Sequence, residues 1–300
     1  MRTRALVVGL LIAAATYSGA RRARDLQAAS QDTLQTIVRG VRYWEDSIRT
    51  LRGRFVIDIS LHRSVAPTRR LHSPLYVALA MDGRKVREQL LGPDGRTPGD
   101  IRVLAPPRGY YYDARYKTAN EVELARHAGR GWAGEPVAVV QYLRLGFKYS
   151  LTPGVRRLSD EIREAEARVA GRDKVGGIEC WRLEAGKRRP GEVKHVWWIA
   201  PTRDYLCLKE TQYYDARPDG PRLEIVADQL RKFPGGIWLP GRVTGLNYGD
   251  PKRPGGKQPD VARLQALSLQ VNMPIAESTF ARPKYPSGTL ITGPKGYRVP

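Results

Sequence analysis

Cysteine is nearly absent from this sequence, which holds only Cys180 and Cys207 in 300 residues. There is no C-x-x-C pair, so dithiol redox chemistry and a thiolate zinc site lack their ligands. Histidine is almost as scarce: His62, His72, His127 and His195 lie far apart, with no cysteine or carboxylate pair recurring beside them at metal-ligand spacing. The G-x-S-x-G elbow, the H-E-x-x-H zinc motif and the P-loop are all missing. Glu161, Glu164 and Glu166 stand among arginines, the pattern of a salt-bridged surface rather than of a general acid and base. These absences point to a binding protein without cofactor or metal rather than an enzyme, with an unmarked hydrolase kept as the second alternative.

Acidic residues are also in short supply, 30 against 51 Lys and Arg, for a formal net charge of +21. Such an excess favours a polyanionic neighbour. Nucleic acid would be the first choice for a cytoplasmic chain, but the N-terminus argues for export. Arg2 and Arg4 precede an apolar run from Ala5 to Ala15, and Ser18-Gly-Ala20 supplies the small residues of a cleavage site. The run is shorter than the roughly 17 residues that span a bilayer. No cysteine follows it to carry a lipid anchor, and no later stretch is long and apolar enough for a membrane helix. Residues 1–20 are read as a cleavable signal peptide and the destination as the periplasm or cell envelope, where an anionic membrane surface replaces nucleic acid as a polyanionic partner.

What is present is turn-rich and solvent-facing: 30 Gly and 22 Pro, with a mean hydropathy of -0.46, as in antiparallel β proteins. One helix precedes the strands. Leu34, Ile37, Val38, Val41, Trp44, Ile48 and Leu51 repeat at three-four spacing, which predicts an amphipathic helix over Gln27 to Leu51, with Ser30 or Asp32 as N-cap and Gly53 as its stop. The period then changes to two at Phe55, Ile57, Ile59 and Leu61. Leu75 to Met81 and Lys85 to Leu91 flank an Asp82-Gly83 turn as a hairpin. Ile101 to Leu104 and Tyr110 to Tyr112 continue the meander. The centre reads as short helices over Glu121 to His127, Pro136 to Leu145 and Thr152 to Glu164, although Ala165 to Gly171 suits the start of a strand equally well.

Six further strands are expected at Ile178 to Glu184, Val193 to Ala200, Tyr205 to Tyr213, Leu223 to Arg231, Gly236 to Leu246 and Val261 to Val271. Short connections make most neighbours antiparallel. A mobile loop is expected over Tyr248 to Asp260, then a short turn of helix at Ala276 to Phe280 and an extended tail. In Val193 to Ala200, one face carries His195, Trp197 and Ile199 and the other Val196, Trp198 and Ala200. Both faces are apolar, so neither lies open to water. An ordinary two-sided core and a cavity wall both fit this pattern. If it is a cavity wall, Trp197 and Trp198 divide between inside and outside.

Several stretches resemble the LolA/LolB-like outer-membrane lipoprotein-sorting superfamily. They are Leu51-Arg-Gly-Arg-Phe55 leading into the first strand, Val175-Gly-Gly-Ile-Glu-Cys-Trp-Arg-Leu183, Trp198-Ile-Ala-Pro-Thr-Arg-Asp204, Gly235-Gly-Ile-Trp-Leu-Pro240 and the strand-to-turn passage from Leu267 to Phe280. The resemblance implies an α+β fold: a strongly curved antiparallel sheet, an incomplete β-barrel, covered by the N-terminal helix and short central helices. It would occupy residues 21–280, with 281–300 as a C-terminal tail. It also implies a hydrophobic half-barrel cavity for an acyl chain or a lipidated protein, for which Phe55, Ile57, Ile59, Trp197, Ile199, Tyr205, Leu208, Ile237 and Leu239 are the lining candidates. The expected role is that of a monomeric lipid- or lipoprotein-binding carrier. The first alternative is an envelope sensor or interaction module that binds a protein or acidic polymer through its basic surface.

Cys180 and Cys207 stay open at this stage. An oxidising compartment favours a disulfide between them. A strand lying between theirs would instead hold them roughly 9.5 Å apart, beyond the reach of about 7 Å that a disulfide allows.

Overall fold

The computed structural model describes residues 33–60, 74–83, 85–123, 157–186, 194–213, 220–248 and 259–293, together with the backbone of 296–298. The signal peptide, the N-cap candidates Ser30 and Asp32, the helix expected at Pro136 to Leu145 and most of the loop after Tyr248 lie outside these residues.

Helix α1 covers residues 33–47. It buries Ile37, Val41 and Trp44 on one stripe, as the three-four spacing requires, and Ile48 just past its end is buried with them. It stops short of the expected Leu51 because that residue has a stronger claim elsewhere, as the first inward position of strand β1 (Thr50–Ser60). There Leu51, Phe55 and Ile57 are buried while Arg52, Arg54 and Asp58 are exposed. The switch from helix to strand is held by Asn272, far along the chain. Its Oδ1 accepts from Arg49 N at 2.8 Å and its Nδ2 donates to Ser47 O at 2.8 Å, so backbone groups orphaned by the helix end find partners.

From β1 the chain runs as an antiparallel meander: β2 (Leu75–Asp82), β3 (Lys85–Leu91), β4 (Pro98–Ala105), β5 (Arg108–Asp113) and β6 (Thr118–Glu123). Strand β6 corrects the helix expected from Glu121. Residues 121–123 pair with β5, Tyr111 standing opposite Asn120, and the ladder outweighs a weak local helical preference. The rest of that expected helix lies outside the described residues.

Helix α2 (Leu158–Glu164) follows. It starts later than Thr152, and its cap comes from α1. Glu45 Oε1 accepts from Leu158 N at 2.7 Å and from Ser159 N at 3.4 Å, while Oε2 accepts the Ser159 hydroxyl at 2.5 Å. The ambiguous stretch from Ala165 resolves as strand β7 (Arg168–Val175). A second antiparallel meander then runs through β8 (Ile178–Ala185), β9 (Lys194–Ala200), β10 (Leu206–Tyr213), β11 (Leu223–Lys232), β12 (Trp238–Asn247) and β13 (Asp260–Val271). All six strands expected in this half are present.

The two meanders fuse where β1 pairs antiparallel with β13. The tail is more than extended chain. After the turn Glu277–Phe280 it adds β14 (Leu290–Gly293), parallel to β6, and β15 (Gly296–Arg298). The result is one 15-stranded sheet ordered β15-β14-β6-β5-β4-β3-β2-β1-β13-β12-β11-β10-β9-β8-β7. A sheet this wide curls rather than lying flat. Its end strands, β15 and β7, do not pair with each other, so it forms an incomplete barrel wrapped around α1.

Candidate ligand site on the inner face of the sheet

Cross-strand register defines the inner face. One row runs Leu183, Trp197, Glu210, Ile225, Gly245, Ala262, Ile59 over seven successive strands. A second passes Ile57, Leu264, Val243 and Ala227. The same face continues the other way through Gly53, Leu79, Glu88, Arg102, Tyr111 and Asn120. Trp197 therefore points inward, in the same large cluster as the buried stripe of α1. Trp198 points outward, where its indole N–H donates to Asp173 Oδ2 at 3.0 Å and the Lys209 ammonium lies 5.1 Å from its ring centroid.

All nine lining candidates belong to that inner cluster. Phe55, Ile57, Trp197, Ile199, Leu208, Ile237 and Leu239 are buried, with Ile59 and Tyr205 packed against them. The buried stripe of α1 belongs to the same cluster, so α1 occupies the concave space. Among the candidates, Ile237 also borders an open cavity. That cavity, about 660 Å³, forms a mouth at the C-terminal end of α1, between Tyr43 and Trp44 on one side and Ile237, Met273 and Pro274 on the other. Tyr43 and Met273 are more than half exposed there.

Sequence reasoning put His195 on the face of Trp197 but missed the other polar groups set into it. Trp197 is fully buried, yet its indole N–H has no acceptor among the described residues. His195 stacks on it with ring centroids 5.3 Å apart. Glu210 accepts from Gln212 Nε2 at 2.8 Å and lies 3.4 Å from His195 Nδ1. Farther round, Glu88 and Arg102 form a buried pair at 3.8 Å, and Glu88 Oε1 accepts no hydrogen bond among the described residues. Burial pushes the Glu88 carboxyl up to about 7, opposed by the Arg102 charge. Tyr111, next in the row, is pushed up to about 12, first by burial and then by Asp100 and Asp113. The signal for Glu88 was present in the alternation of β3, which places it between Val86 and Leu90 on one face.

The two cysteines sit in β8 and β10 with β9 between them. Both are buried and no disulfide joins them. Their thiols donate to backbone carbonyls instead, Cys180 to Ile178 at 3.4 Å and Cys207 to Lys209 at 3.3 Å.

The sequence matches no protein-family profile and no curated protein. The comparison with solved structures is informative. A domain from Vibrio parahaemolyticus, described as outer membrane lipoprotein-sorting, superposes with a TM-score of 0.50 at 11% identity, over 82% of this chain and 94% of that one. This chain has the LolA/LolB-like lipoprotein-sorting fold. A DUF1329 family protein from Desulfovibrio piger (TM-score 0.42, 14% identity, 83% and 97% covered) and the lipoprotein LppX of Mycobacterium tuberculosis (0.31, 8%, 82% and 99%) are also similar to it. In this fold the buried stripe of α1 shares one core cluster with the inner face of the sheet. Its polar contacts include Trp44 Nε1 donating to Trp238 O at 3.1 Å, Glu45 capping α2, Arg42 paired with Asp160 at 3.3 Å and Asp46 paired with Arg157.

Proposed function

We propose that the chain is an exported, non-catalytic carrier-type protein of the cell envelope that binds an acyl chain or a lipidated protein on the inner face of its sheet. The observation that carries this reading is the orphaned indole N–H of Trp197, fully buried on the inner face between His195 and Glu210. A buried donor without an acceptor costs about 1–3 kcal/mol. An ester or amide carbonyl at the head of an acyl chain supplies the missing acceptor, while the chain replaces contacts now made by α1. Each buried methylene then contributes about 0.8 kcal/mol. The mouth at the C-terminal end of α1 leads to Trp44 and Ile237, which belong to the same cluster as Trp197. The lipoprotein-sorting description of the Vibrio domain supports the same substrate class.

Mass spectrometry of the purified full chain tests this: co-purifying lipid is expected, as is displacement of a fluorescent fatty-acyl probe by phospholipid. Absence of both outcomes sinks the carrier reading. A second reading, an envelope sensor or interaction module with a permanently filled interior, is favoured by the burial of the α1 stripe in the same cluster as the nine candidates. It predicts capture of a protein or acidic polymer that weakens in high salt without any bound lipid.

A further inference from the structure

The face of the sheet opposite α1 carries a groove of about 780 Å³ across β13, β1, β2 and β3. Register shows how it is built. Arg52 stands beside Ala80 and Ala80 beside Arg87, while Arg54 stands beside Ala78 and Ala78 beside Gln89. Alanine on the middle strand makes the floor and arginine on the flanking strands makes the walls, about 9.6 Å apart across two strand spacings. Ser268 and Gln270 of β13 extend one side and Thr279 of the C-terminal turn closes the end.

Among the described residues, no carboxylate lines this space. The arginines are held by neutral acceptors, Arg54 by Gly95 O and Arg87 by Thr279 O at 3.3 Å and Gln89 Oε1 at 3.5 Å. These bonds fix the guanidinium groups without cancelling their charge. Burial lowers the proton affinity of Arg87. The bulge between Arg54 and Phe55 leaves Leu267 beside Ser268 with its side chain 52% exposed, one of the few large apolar residues in water. Three arginines without a carboxylate partner among the described residues, next to a protruding leucine, match a bilayer surface better than a soluble polyanion, because the bilayer offers phosphate and hydrocarbon together.

We propose that this groove is a membrane-docking site that seats the phosphate of an anionic phospholipid headgroup, with Leu267 reaching into the interfacial layer. It lies on the face opposite Trp197, so docking leaves the inner face and its mouth unobstructed. It does not depend on what the inner face binds.

Co-sedimentation of the full chain with vesicles tests it. Binding to phosphatidylglycerol/phosphatidylcholine vesicles and not to pure phosphatidylcholine is expected at moderate salt. R52Q/R54Q/R87Q should lower the partition coefficient by about 100-fold, at roughly one basic contact's worth per arginine. R39Q/R108Q/R231Q, with the same loss of charge elsewhere on the surface, should stay near wild type. Two further variants keep the charge: Ala78→Leu fills the floor, and Leu267→Asn removes the apolar contact. Both should weaken vesicle binding, and the second should leave any binding of inorganic phosphate unchanged. Thermal melts and binding of the acyl probe without vesicles report on fold and inner face separately. Equal losses in the two triple variants, or capture of polyglutamate in place of vesicles, overturn the proposal.

Discussion

Gly40 of α1 lies flat against the ring of Tyr205, so close that a Cβ on Gly40 would overlap the ring carbons. Tyr205 is itself in the left-handed region at φ 58°, presented by the turn that follows β9. The helix that closes the half-barrel can approach the sheet here only because one of its residues has no side chain.

Gly40→Ala sets two effects against each other. Alanine gains about 1 kcal/mol in helix propensity over glycine, whereas forcing a methyl into a packed contact costs about 1–3 kcal/mol. The clash involves a ring pinned by the turn, so the second effect should win. Urea unfolding should show net destabilisation, and Gly40→Ala/Tyr205→Ala should recover part of it. A more stable single variant would mean that α1 is not held at this point.

Trp197→Phe removes the orphaned N–H together with part of a fully buried indole ring. Stability should fall by less than an ordinary large-to-small core change, because the cavity left behind is partly offset by the loss of an unsatisfied donor. Affinity for a carbonyl-bearing acyl probe should fall about tenfold, while affinity for a plain hydrocarbon chain should change little. Equal losses for both probes would show that Trp197 acts through shape alone.

Glu88 predicts a pH dependence of stability. Its folded-state carboxyl titrates at about 7 against an ordinary value of 4.5, so between these values the folded chain holds a proton that the unfolded chain has released. Stability from this group is therefore full below about pH 4.5 and is lost as pH rises through about 7. The loss amounts to roughly 3 kcal/mol. Glu88→Gln should flatten this part of the profile in denaturant titrations between pH 5 and pH 8. A constant gap between wild type and variant across that range would rule the carboxyl out.

Cys180 should resist alkylation in the folded chain, because burial pushes its thiol up to about 11 and the thiolate is the reactive form. Unfolding without reductant should expose two alkylatable thiols per chain by mass spectrometry. An unreacted pair would reveal a disulfide and require β8 and β10 to rearrange.

Much of the architecture was legible because strand and helix periods are local properties. The alternation in β1 and the six strands from Ile178 onward follow from side chains two residues apart facing one way. The stripe of α1 follows from its three-four spacing. The errors fell where a distant partner outvoted local preference: α1 gives up Leu51 to the sheet, residues 121–123 join β5, and α2 begins where Glu45 can cap it. Of the candidate site, the apolar members were readable from alternation. Gly40 and the Trp197 N–H were not, because one acts by having no side chain and the other by lacking a partner.

By itself, the sequence determined that this protein is strand-rich, strongly basic and equipped with one amphipathic helix, since composition and period need no partner to be read. Tertiary structure alone decided that β1 and β13 join two meanders into one curled sheet with α1 filling its inner face. Register across strands distant in sequence likewise placed Trp197 inside and the Arg52, Arg54 and Arg87 groove outside. Such pairings depend on which edges meet after the chain collapses, and no local window of residues contains that information.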